Sequence, residues 1–146
     1  MRIASRFAIG IHILALMEVY PEVEATSDLM AASIGVNAVI VRNVTGMLRR
    51  AGLVRTRQGV AGAQLAKPLH EITLLEVYRA VHAVEEADLF ALHEKPHPAC
   101  LVGNNIQKTL EGVFTEAQQA METRLAQTSM AQVVTQLRVV AAQRAA

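Results

Sequence analysis

Residues 27–68 read SDLMAASIGVNAVIVRNVTGMLRRAGLVRTRQGVAGAQLAKP, and their spacing decides the fold. Thr26 or Ser27 can cap a short helix with Leu29, Met30 and Ile34 along one side, and Gly35 ends it with a residue free to adopt positive φ. Asn37 caps a longer helix in which Ile40, Val44, Met47 and Leu48 recur at helical intervals, closed by Gly52. Its other face carries Ala38, Val39, Arg42, Asn43, Gly46, Arg49 and Arg50. Two helices joined by a short glycine-containing turn form a helix-turn-helix. Leu53–Arg57 and Gln64–Ala66 then read as two strands around Gly59-Val60-Ala61-Gly62, a wing with a tight exposed tip. The whole stretch holds six Arg or Lys and, after Asp28, no acid. That is the footprint of a polyanion-binding surface on a scaffold that fits a major groove.

The charge distribution around this stretch agrees with it. The net charge of +1 divides into about +4 for residues 1–67 and −3 for residues 68–146, so a polyanion would meet the front half. With 52% hydrophobic residues the chain can bury a core, and with 3% aromatics and no Trp that core is built from Leu, Val, Ile, Ala and Met, which suits packed helices. A single cysteine, Cys100, rules out an intrachain disulfide and a Cys-rich metal site, and sets a reducing cytoplasm as the expected location. The apolar run Phe7–Met17 behind Arg2 and Arg6 is interrupted by Gly10 and His12 and is too short to span a membrane, so no membrane partner is expected.

Before the decisive stretch, Ser5 can cap a helix that Pro21 stops near Tyr20. After it, Thr73 and Glu76 make a capping box for a helix to about Ala83. Residues 85–99 are polar and Pro-containing, a loop. From Gly103 a long helix carries Ile106, Leu110, Val113, Phe114, Ala117, Met121 and Leu125 as a seam, and Thr128 restarts a last helix through about Ala142. A seam of that length on a small domain calls for a partner. The expected fold is mostly α with a small two-stranded β-wing: a winged helix-turn-helix over 1–83, a sensor loop over 84–102, and a dimerisation helix with a C-terminal helix over 103–146.

The candidate DNA-binding residues follow from this placement. Arg42 can take guanine O6 and N7 together, while Asn37, Asn43, Ala38 and Val39 can approach bases or thymine methyls, beside Ser27. Arg49, Arg50, Arg55, Arg57 and Lys67 suit phosphates, and Gly59 and Gly62 let the wing backbone come close. Cys100, just before the long helix, sits where the helix dipole favours a thiolate, which makes it a candidate sensor. His93, His97 and Cys100 have ligand types suited to zinc or iron, and a metal-sensing regulator is one alternative. Another is an adaptor whose winged module docks an acidic protein. No nucleophile elbow, phosphate loop or paired His-Glu zinc helix occurs, so no enzyme is expected.

Five phrases in order resemble the Rrf-two (Rrf2) family of winged-helix bacterial regulators. They are Ile3-Ala4-Ser5-Arg6-Phe7-Ala8, Val39-Ile40-Val41-Arg42, Leu48-Arg49-Arg50-Ala51-Gly52-Leu53-Val54, the wing from Gly59 to Pro68, and Ile72-Thr73-Leu74-Leu75-Glu76-Val77. The resemblance spans nearly the whole chain. It implies a homodimer joined through the long helix, a palindromic operator on double-stranded DNA, repression as the usual output, and a sensor at the start of that helix. Cluster-binding members carry three Cys there; this chain carries Cys100 alone, after a Leu92-His93-Glu94-Lys95-Pro96 phrase, and so resembles the cluster-free subgroup, some members of which respond to thiol oxidants. No cofactor is expected. At the wing, Ala61, Ala63 and Gln64 stand where Gly, Gly and Tyr are common in the family.

Overall fold

The computed structural model describes residues 3–82, 90 and 92–146, with side chains from Ser5 onward. Its first helix, α1 (Ile3–Val19), runs through the middle of the molecule. Ile13 and Leu14 are fully buried and Ile9, Ala15 and Met17 nearly so, which accounts for a helix apolar on almost every side. Ser5 lies inside this helix and is exposed, so it is not the cap the sequence suggested.

Local chemistry fixes the next three elements. Thr26 caps α2 (Ser27–Ile34), its Oγ1 accepting from the Leu29 N–H at 3.3 Å, and Gly35 closes it in the left-handed region at φ 78°. Asn37 Oδ1 accepts from the Val39 N–H at 2.7 Å to start α3 (Ala38–Arg50), which turns 108° away from α2. At its far end Leu53 N–H donates to the Leu48 carbonyl and Gly52 N–H to that of Arg49, the paired bonds of a Schellman closure. The buried stripe of α3 is Val41, Val44 and Leu48; Ile40 and Met47 are only half-buried, so the seam sits one residue round from the spacing first read.

The wing is compact. β1 (Val54–Arg55) and β2 (Gln64–Leu65) pair antiparallel with Val54 opposite Leu65, shorter than the sequence suggested. Ala63 N–H donates to the Ala25 carbonyl at 3.2 Å, adding the 21–25 turn as a third rung. A 3-10 turn (Leu69–Glu71) leads to α4 (Leu74–His82), where Glu76 Oε2 accepts from the Thr73 N–H and Thr73 Oγ1 from the Glu76 N–H, the expected capping box.

The long helix α5 (Leu101–Ala126) starts two residues before Gly103, and α6 (Met130–Ala145) is capped by Ser129 with Gln132 rather than by Thr128. α6 folds back onto α1 and sends Met130 and Val134 into the core. The α5–α6 turn is stitched to the approach to α4: Leu74 N–H donates to the Thr128 carbonyl and Met130 N–H to that of Ile72. α5 itself, about 39 Å long at 1.5 Å per residue, buries none of its described residues. Within 103–146, α6 therefore sends residues into the core, whereas α5 rests against α4 without fully burying any described residue.

Candidate nucleic-acid interface

The geometry of α3 separates its two faces cleanly. With Val41, Val44 and Leu48 anchored in the core, Val39, Arg42, Asn43, Arg49 and Arg50 are exposed on the outward side. Val39 is 51% exposed, an apolar side chain left in water at the N-terminal end of the helix. Ala38 differs from this set because it is half-buried and packs against the core. Ser27 is half-buried in the first turn of α2, and Asn37 is exposed with its Oδ1 engaged in the cap.

The wing adds further exposed basic groups next to α3. Arg55, Arg57 and Gly59 are exposed, and the tip turns through Gly59 at φ 77° and a Val60 N–H donated to the Arg57 carbonyl. Gly62 has a second reason to be glycine. Its φ is 86°, and a Cβ there would meet the Ala25 backbone nitrogen at 3.1 Å, so it permits the close seating of the wing on the 21–25 turn. Lys67 is placed differently from the arginines: its Nζ lies 2.7 Å from Glu76 Oε1. Burial alone would raise the Glu76 carboxyl, but the Lys67 hydrogen bond and the Thr73 N–H together hold it below the usual carboxylate range. The spacing of charges along the sequence could not show that this lysine is paired with a residue of α4.

Cys100 forms the N-cap of α5 and is exposed. The backbone N–H groups of Gly103, chiefly, and Val102 stabilise its thiolate and pull its pKa below the ordinary value. The preceding loop is held by a His97 carbonyl that accepts from Cys100 N–H, a His97 Nδ1 that accepts from Ala99 N–H, and a His93 carbonyl that accepts from Gln107 Nε2. The remainder of the sensor loop, residues 84–89 and 91, lies outside the described residues. His93, His97 and Cys100 do not converge: among the described residues no three His, Cys, Asp or Glu side chains form a group that could hold a metal ion. As placed, that donor set does not make an iron site.

Comparison with known proteins agrees with the architecture. Residues 3–136 match the Rrf2 family model, described as an iron-dependent transcriptional regulator. YwnA of Bacillus subtilis (strain 168), provisionally named an HTH-type transcriptional regulator, is 44% identical over 135 residues, covering 92% of this chain and 98% of that protein. A crystal structure provisionally described as a DNA-binding protein is 38% identical with a TM-score of 0.71, covering 88% of this chain and 97% of its own. A second structure, from Lactobacillus plantarum and provisionally described as a transcriptional regulator, shares the fold at a TM-score of 0.76 and 22% identity, covering 91% of this chain and 89% of its own. An outward-facing basic helix with a basic wing beside it, and a match running almost end to end, place this chain in the Rrf2 family of transcriptional regulators.

Proposed function

We propose that the protein acts in the cytoplasm as a homodimer that binds a palindromic operator and represses the adjoining genes. The observation that carries this reading is the outward face of α3 together with the wing, where Arg42, Arg49, Arg50, Arg55 and Arg57 are all exposed. Arg42 and Asn43 read base edges, with Val39 against thymine methyls. Arg49, Arg50, Arg57 and the wing backbone at Gly59 hold phosphates and fix the register. The half-exposed seam of α5 packs against a second copy, and the two recognition helices then lie in successive major grooves.

The thiol supplies the control. Oxidation or alkylation of Cys100 disturbs the first turn of α5, and because α5 links the two copies, the distance between recognition helices changes. Fluorescence anisotropy with a DNA duplex across a salt series tests the polyanion claim. If a dimer neutralises on the order of eight phosphates, log affinity falls against log salt with a slope near −7, from roughly −0.9 per contact. A slope near zero contradicts it.

A further inference from the structure

Between the C-terminal half of α1, the 20–25 turn and α2 lies an open cavity of about 500 Å3 whose wall includes Leu16, Tyr20, Val23, Leu29, Met30 and Ser33. Tyr20, Val23 and Leu29 are left 57%, 47% and 49% exposed around it, three large apolar side chains converging on one concavity. None of them belongs to the outward face of α3 or to the wing. Among the described residues no charged side chain lines the cavity. Its polar groups are few: the Tyr20 phenol and the Ser33 hydroxyl, whose Oγ is 3.2 Å from His12 Nε2. The wall is therefore mainly apolar, with Tyr20 and Ser33 as its hydrogen-bonding side chains and His12 behind Ser33.

We propose that this cavity binds a neutral, mainly apolar small molecule bearing one hydrogen-bonding group, which Ser33 or Tyr20 recognises. The volume falls within the roughly 300–1,000 Å3 range of small-molecule pockets. A concave wall suits a small molecule better than a second copy or a protein partner, whose interfaces spread over about 20–30 residues a side. The absence of lining charge selects a neutral ligand, since an ion would lose its hydration there without a partner.

The position gives the ligand a lever. Leu29 and Met30 belong to α2, which packs on the recognition helix, and the backbone of Ala25, another lining residue, carries the wing through the Ala63 hydrogen bond. A molecule seated here touches both supports of the basic surface. This regulatory consequence rests on the DNA-binding reading above; the site itself does not.

The test uses the full chain and N-phenyl-1-naphthylamine, a neutral fluorescent amine with one N–H donor. The expected result is saturable enhancement at one probe per chain. Ala32→Phe, which fills the cavity from an exposed position, weakens binding by at least about tenfold. Leu29→Gln weakens it similarly, while Val139→Gln on the exposed side of α6 leaves it unchanged; each variant is scored at a melting temperature matching the parent, and Leu29→Gln decides if Ala32→Phe fails to fold. Enhancement that never saturates, that ignores both cavity substitutions, or that is lost in Val139→Gln overturns the site. Added probe is expected to change affinity for a bound duplex; unchanged affinity with intact probe binding overturns the coupling. Failure of the protein to bind any duplex overturns the DNA reading and leaves the probe measurement standing.

Discussion

Arg42 and Arg57 are both exposed cations, yet their surroundings predict different losses when they are removed. Arg42 stands on a rigid helix, where a planar fork can address one guanine, so Arg42→Ala is expected to cost about 1–3 kcal/mol in operator affinity and to relax preference at one position in each half-site. Arg57→Ala, in the wing, should weaken all sequences alike and flatten the salt slope by about 1. Competition binding against single-base operator variants separates the two. At Cys100, backbone donors lower the thiol pKa, so the thiolate persists at pH values where an ordinary cysteine is protonated. The alkylation rate of the folded protein should therefore rise at lower pH than that of the unfolded chain; coincident profiles would contradict the cap geometry. Cys100 and Arg42 were legible in the sequence because helix position alone exposes them. The pairing of Lys67 with Glu76 and the close approach at Gly62 were not, because each depends on a residue brought in from a distant element.

The helices themselves were written in short-range signals. Thr26, Asn37, the Thr73–Glu76 box and the Gly35 turn all act within a few residues, and all stand where their side-chain chemistry predicts. Asn37→Ala is expected to lower stability by about 1 kcal/mol, within the roughly 0.5–2 range for lost caps, read as a shift in denaturant midpoint. It should also weaken operator binding, since the cap sets the first turn of the recognition helix. Leu48→Ala, at a fully buried position under α3, should cost about 2–5 kcal/mol. What the sequence left open were tertiary choices. Val41 rather than Ile40 faces the core, and α6 joins α1, because docking selects among several apolar residues of similar spacing. The Glu76 carboxylate, with a depressed pKa, stabilises the cap above the usual carboxylate range and loses that effect as pH falls through its folded value. The stability difference between the parent and Glu76→Gln should accordingly shrink in acid.

At the scale of the molecule, α5 rests against α4 outside the core of α1, α3, α4 and α6, leaving Val113 exposed and Leu110, Phe114, Met121 and Leu125 only half-covered. The proposed second copy would cover that seam, so Leu110→Glu should convert dimer to monomer in sedimentation velocity while the winged module keeps its fold. The same stitching that ties the α5–α6 turn to α4 would carry a change in the dimer seam to the DNA-binding module. The central claim is that two recognition helices, held apart by α5, read a symmetric site. Selection of bound duplexes from a random pool, run with reduced and with oxidised protein, tests it most directly. The account predicts an inverted repeat with half-site centres about one helical turn, or a multiple of it, apart, enriched by the reduced protein and lost or weakened on oxidation in the parent but not in Cys100→Ser. Recovery of no common sequence, or of a single asymmetric half-site, would contradict it.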